Sequence, residues 1–213
     1  MTTTTKFSGW PRSVYDFFDG LEEDNSRDYF LAHKAQYAAD VRGPLEALAA
    51  EASAEFGEIH IFRPQRDTRF AKDKRPYKTN VAGILRKGGS ISYISVDQSG
   101  LFVGSGYYMM GPQQLAKFRL AVGDDDSGPK LAAIVAAAEK ARLGTGEPDL
   151  KRVPKPFAKD HPRERLLRHK SMIISKQWEQ PAWLHARTAL AEITKVWRAA
   201  QNLNSWLERL VGQ

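Results

Sequence analysis

The fourteen residues from Arg66 to Thr79 read Arg-Asp-Thr-Arg-Phe-Ala-Lys-Asp-Lys-Arg-Pro-Tyr-Lys-Thr, and six of them are cationic. Arginine presents planar paired donors that match phosphate or carboxylate, and lysine adds a compact point charge. Arg66, Arg69, Lys72, Lys74 and Lys78 are therefore candidates for an anion site, with Tyr77 as a stacking or hydrogen-bonding partner. Asp67 and Asp73 are spaced to orient these cations. The same two aspartates are candidate general bases if the protein is an enzyme acting on a phosphorylated or nucleotide substrate, the cations then stabilising developing negative charge. A third reading makes the segment a structural salt network on a protein-interaction module. Two carboxylates cannot neutralise six cations, so the surplus calls for a counter-charge from elsewhere.

The apolar residues in the segment separate it from a floppy basic tail. Phe70, Pro76 and Tyr77 imply that it is packed. If a strand continues to Phe70, Asp67 and Arg69 project on one face, and Arg66 and Phe70 on the other. Pro76 disfavours helix at Arg75, which makes Lys72 to Lys78 a defined loop.

The run R-D-x-R-F-x-K-D-K-x-P-Y-K-T resembles the hallmark of the uncharacterised domain of unknown function 2461 family. Flanking features agree: Asn25-Ser26-Arg27-Asp28-Tyr29-Phe30 with Lys34 and Tyr37, a later Gly104-x-Gly106 strand, and Val153-Pro154-Lys155 running on to His161-Pro162. This chain has Tyr29 where members often carry Trp, and Asp24 where an Asn is common. The resemblance covers nearly the whole chain and implies one domain over residues 1–213. It implies no reaction, and neither cofactor nor metal follows from it.

Other motifs carry less. Gly104-Ser105-Gly106 lacks the Gly-x-Ser-x-Gly of a nucleophile elbow and the third glycine of a dinucleotide fingerprint. Its glycines instead suit the close approach of a helix or, less readily, a ligand. His33, His60, His161, His169 and His185 show no paired ligand spacing, so no metal site is expected. Asp124-Asp125-Asp126 reads as a solvated turn, and Trp178, Trp183, Trp197 and Trp206 as core and interface residues. The chain has no cysteine, which excludes disulfides and thiolate chemistry and points to the reducing cytoplasm.

The net charge of +7 is uneven. Residues 1–62 carry −6, residues 63–78 carry +5, and residues 79–213 carry +8. Such asymmetry points to an anionic partner, either a phosphate-bearing small molecule or nucleic acid. A second basic stretch, Lys151 to Lys170, is interrupted by Pro154, Pro156 and Pro162 and reads as mostly extended. Placed beside residues 66–78 it would extend the positive surface. Neither the polar start, Met1 to Lys6, nor the apolar run Leu131 to Ala138 suits a membrane.

The elements that position these residues form an α+β fold, a central, mainly antiparallel sheet (a meander about residues 58–108) with helices packed mostly on one face. Val14, Phe17, Phe18 and Leu21 recur at helix spacing, Asp24-Asn25-Ser26 supplies N-cap residues for a helix beginning near Arg27, and Gly43-Pro44 interrupts or kinks the helical run toward Phe56. Glu58 to Phe62 reads as a strand that Pro64 confines to an edge or a bulge. Asn80–Arg86, Ile91–Val96 and Leu101–Tyr108 alternate with turns at Lys87–Ser90 and Asp97–Gly100. Gly111-Pro112 opens a helix to about Val122, an alanine-rich helix runs to near Gly144, and Ser171 to Ser175 is a short strand. The C-terminal helical segment, about residues 180–211, carries the stripe Leu190, Ile193, Trp197, Ala200, Leu203, Leu207 and Leu210, to be buried on the sheet or, failing that, in a dimer.

Overall fold

The computed structural model describes residues 6–69 and 72–212. Ser13–Glu23 forms α1, which buries Val14, Phe17, Phe18 and Leu21 along one face. Ser26 then accepts the Tyr29 amide and starts α2, Arg27–Ala32. Gly20 has no side chain where the Tyr29 phenol sits, and that phenol donates to the Phe17 carbonyl at 3.1 Å, locking α2 onto α1. The short helix α3, Lys34–Gln36, runs through a π turn at Tyr37–Arg42 into α4, Gly43–Phe56. The expected interruption at Gly43-Pro44 is thus a local widening: Pro44 has no N–H for the Asp40 carbonyl four residues back, and the helix takes up a wider turn instead of breaking.

The five strands are β1 (Glu58–Ile61), β2 (Asn80–Lys87), β3 (Ser90–Asp97), β4 (Gly100–Tyr107) and β5 (Met172–Glu179), ordered β1-β2-β3-β4-β5. The sheet is the antiparallel meander that the period-two pattern implies. At the β3–β4 turn the Asp97 carboxylate accepts the Ser99 and Gly100 amides at 2.8 and 3.2 Å. The first strand is shorter than its apolar run suggested: regular pairing stops at Ile61, and Gln65 makes only an isolated antiparallel bridge to Tyr77. Pro64 removes the donor that a continuing ladder needs. Phe70 lies outside the described residues; Arg66 to Arg69, expected to continue the strand, form none.

The remaining helices are α5 (Pro112–Gly123), α6 (Ser127–Lys140), α7 (Glu164–Leu167), α8 (Thr188–Ala199) and α9 (Gln201–Leu210). The alanine-rich helix ends at Lys140 rather than near Gly144, because Arg142 takes a positive φ of 59°. The Lys151–Lys170 stretch, expected extended, is a chain of turns containing α7. Its prolines stop long helices, yet short turns still satisfy the backbone locally. The strand foreseen at Ser171–Ser175 is the longer β5.

The chain divides into two compact units. The first comprises the chain up to Leu85, Tyr93–Phe102 and Gln177–Thr194. Its core gathers Trp10, Phe17, Phe18, Leu21, Val41 and Leu48, all at most 1% exposed. Across it, the Glu51 carboxylate accepts the Phe7 amide at 2.8 Å and two guanidinium bonds from Arg187 at 2.9 and 2.7 Å. Arg187 and the Phe7 amide hold the Glu51 pKa down at about 2. The folded pKa lies below the unfolded one, so this stabilisation is complete above about pH 4.5 and is lost as pH falls toward about 2. Glu51→Gln is expected to melt several degrees below wild type at pH 7, the difference closing between pH 4.5 and pH 2 in melting curves.

The second unit comprises Arg86–Ser92, Val103–Lys176 and Lys195–Gln213. In it α9 packs against α5 and α6. Trp206 stands edge-on to Phe118 and donates its indole N–H to the Ser127 carbonyl at 3.0 Å. Asn204 donates to the Ser105 hydroxyl on β4 at 2.9 Å. Leu203, Trp206 and Leu207 are thereby buried within this unit. The C-terminal stripe splits into α8 and α9 around Ala200, and Val196, Trp206 and Val211 join its core while Leu190 and Leu210 stay half-buried. Gly106 does admit a close neighbour, but it is the backbone of β5 at Met172 and Ile173, not a helix or a ligand.

Candidate functional site

The 66–79 segment belongs to the first unit. It leaves the β1 end and returns to β2 as a loop closed at its base by two backbone bonds, Arg66 N–H to the Pro76 carbonyl and Lys78 N–H to the Pro64 carbonyl, both 2.8 Å. Tyr77 pins that base. Its ring lies on Phe30 with centroids 4.2 Å apart and planes 5° from parallel, and only 7% of the residue is exposed. Asn25 clamps the Tyr77 backbone from the α1–α2 corner, its Oδ1 accepting the amide at 2.9 Å and its Nδ2 donating to the carbonyl at 3.3 Å. Tyr77 was a candidate ligand partner from its type alone; its ring is committed to the core.

The arginines and aspartates pair with one another. Arg69 binds Asp67 through Nε at 3.0 Å and Nη2 at 2.7 Å, out in solvent. Asp73 accepts from Arg66 at 3.1 Å and from Arg75 at 3.0 Å, and Arg75 also reaches Glu22 of α1. The side chain of Arg69 and then its own amide lower the Asp67 pKa, and Arg75 does the same to Asp73. That direction is opposite to the one a general base working at neutral pH requires.

The lysines differ. Lys74 donates to the Thr68 carbonyl at 2.9 Å and is exposed, as is Lys72. Lys78 is half-buried, donates to the Arg63 carbonyl at 3.0 Å, and lies 5.4 Å from the centroid of the Phe62 ring. Among the described residues no carboxylate lies within ion-pair distance of it. Burial, then the like charges of Arg63 and Arg66, push the Lys78 pKa down.

Lys78 and Arg66 line a solvent-open cavity of about 350 Å³ together with Phe62, Thr79, Asn80, Ala82 and Tyr93. Asn80 and Ala82 alternate along β2 onto the face that also carries Tyr93 of β3. The Asn80 amide donates to Ser95 at 2.8 Å, which leaves its oxygen for another partner. Arg66 Nε is buried with no hydrogen-bond partner among the described residues. Of the sequence-based candidates, the fold thus gathers Arg66 and Lys78 at one cavity. It turns Arg69, Lys72 and Lys74 toward solvent and uses Asp67 and Asp73 to hold arginines. Phe62, Asn80 and Tyr93 were missed, although the alternation that puts Asn80 on β2 and Tyr93 on β3 was a usable signal.

The second basic stretch lies in the other unit, and three of its arginines have partners there. Arg163 donates to the Val122 and Gly123 carbonyls at 2.7 and 2.9 Å, closing the end of α5, and to the Asp125 carboxylate at 3.0 Å. Arg165 pairs with Glu139 at 2.6 Å, and Arg168 with Glu164 at 2.9 Å. Among the described residues no group of three or more His, Asp or Glu side chains is placed to hold a metal ion, and no helix is long and apolar enough to cross a membrane.

The family model of conserved hypothetical proteins, domain of unknown function 2461, matches residues 13–206. The chain belongs to this family. The match spans α1 to α9 and so takes in every element around the cavity of this family member. No curated protein matches the chain.

Proposed function

We propose that this protein binds a small phosphate-bearing ligand at the cavity beside β2, with Lys78 and Arg66 taking the anionic group. One observation carries the reading: Lys78 is a half-buried cation facing two further cations, with no carboxylate beside it among the described residues. A partly desolvated charge without a counter-ion carries some cost, and a bound anion offsets it. Arg66, which also lines the cavity, adds a second cation with planar donors.

The ion pairs favour a second role for the rest of the segment. Asp67–Arg69 and the chain Arg66–Asp73–Arg75–Glu22 hold the loop in shape, so the structural reading accounts for the arginines while the anion reading accounts for Lys78. A small ligand is favoured over nucleic acid because Lys78 and Arg66 meet at one cavity of compact-metabolite size. The enzyme alternative draws no support from Asp67 or Asp73, whose carboxylates are held in the charged form.

Thermal shift and calorimetric titration with inorganic phosphate and a nucleoside monophosphate test this. Phosphate is expected to raise the melting temperature of the wild type. Lys78→Ala should weaken binding by about 1.5–3 kcal/mol, or roughly ten- to hundredfold, the range for a hydrogen bond to a charged group. Arg69→Ala should leave affinity within about twofold, because an exposed, already paired charge contributes little. Equal losses in both variants would mean that diffuse positive potential, not this cavity, attracts the anion.

A further inference from the structure

We infer that Lys78 is a reactive amine as well as a charge, placed to form an imine with the carbonyl carbon of an anionic aldehyde or keto acid held in the same cavity. This rests on the anion reading of the cavity and goes beyond it by assigning a covalent step and a ligand class.

The geometry supplies what such a lysine needs. An amine attacks only in its neutral form, and neutral lysine is favoured by partial burial, by cationic neighbours and by the absence of a carboxylate. Among the described residues Lys78 has all three: it is half-buried, it feels the charges of Arg63 and Arg66, and its hydrogen bond goes to the Arg63 carbonyl and not to a carboxylate. A carboxylate partner would hold it charged, as pairing holds Arg69 and Arg75. The bond to a carbonyl oxygen uses one N–H and leaves the nitrogen lone pair free once a proton is lost. The two other lysines of the segment lack this setting, since Lys72 and Lys74 are exposed and stand away from the cavity lining.

The ligand class follows from the residues around the amine. Arg66, whose guanidinium lines the cavity, is suited to a carboxylate or phosphate. The cavity, at about 350 Å³, admits a compact metabolite. In the step itself, the neutral ε-amine attacks the carbonyl carbon and the C–N bond forms as the C=O π pair moves to oxygen. A proton passes from nitrogen to that oxygen, giving a carbinolamine. A proton from solvent lets the hydroxyl leave as water, breaking the C–O bond as the nitrogen pair closes C=N, and the second N–H proton returns to solvent. Nothing is oxidised or reduced.

Reductive trapping tests the inference on the full chain. The protein is incubated at pH 7 with glyoxylate and cyanoborohydride, whose hydride converts any imine to a stable secondary amine, and adducts at each lysine are quantified by peptide mass spectrometry. The expected result is roughly tenfold more adduct at Lys78 than at Lys72 or Lys74, a margin lost in guanidinium-unfolded protein and suppressed by inorganic phosphate. Lys78→Arg, whose guanidinium forms no such imine, should lose the preferred adduct while labelling at Lys72 and Lys74 stays as in the wild type; if that variant fails to fold, the ratio between lysines in the wild type still decides. Labelling spread evenly over the three lysines overturns the inference. The phosphate melting shift, measured on the same samples, reads the binding proposal separately: a shift without selective labelling leaves a binding site with an unreactive lysine.

Discussion

Tyr77→Ala is expected to lower folding stability by about 3–5 kcal/mol, the range for emptying a buried aromatic site. The ring is 7% exposed and lies flat on Phe30 at 4.2 Å, and Phe30 itself packs against Phe17 and Tyr37. Truncation therefore leaves a void in an aromatic cluster that α1, α2 and the π turn share. The Asn25 clamp on the Tyr77 backbone survives the substitution, because it touches only main-chain atoms. That separates the ring's contribution from the clamp's. Tyr77→Phe keeps the ring and should stay within about 1 kcal/mol of wild type. Urea unfolding monitored by circular dichroism measures both. Because Lys78 follows Tyr77 directly, the alanine variant should also lose the phosphate-induced melting shift while still folded. A stability loss below about 1 kcal/mol would mean that the loop base is held by its backbone bonds and not by the ring.

Gly106→Ala should be at least as damaging. Gly106 has φ +142°, a conformation that L side chains rarely adopt, and an added Cβ would sit 2.2 Å from the Met172 carbonyl oxygen and 2.9 Å from Ile173 Cα. Both obstacles are backbone of β5, which can retreat only by breaking the β4–β5 pairing. The expected loss exceeds about 3 kcal/mol, combining backbone strain with forced overpacking. Gly146→Ala is the matched control: φ there is +77°, yet nothing lies within 4 Å of the added carbon. Its cost should be the conformational part alone, about 1–2 kcal/mol. Denaturation midpoints of the two variants against wild type distinguish crowding from strain. Comparable losses would show that the β5 backbone moves aside freely.

These residues show where local information ends. Ser26 as a helix cap, Pro112 in a first helical turn and the Asp97–Gly100 turn depend on neighbours a few positions away, so residue type and spacing were enough to place them. The meander was legible for the same reason, as period-two alternation survives wherever a strand has two unlike faces. The candidate site was legible only as a surplus of charge. Counting cations against the two aspartates inside the segment omitted Glu22, 53 positions from Arg75, and Asn25, 52 positions from Tyr77. No local pattern marks either as a partner, because both are brought to the loop by the α1–α2 corner.

Residue type and period by themselves determined an α+β chain with an antiparallel meander, a proline-limited first strand and a cation-rich connection leading into β2. Only the tertiary structure decided which of those cations are paired with carboxylates and which are not. Helices and strands arise from backbone geometry and from apolar periodicity repeated along a few turns. The fate of a charge depends instead on what lies within a few ångströms and how much water is excluded, and that turns on contacts between distant parts of the chain. Hence Tyr77, singled out as a binding residue by its type, became a core anchor, while Lys78 beside it kept its charge unpaired at the cavity.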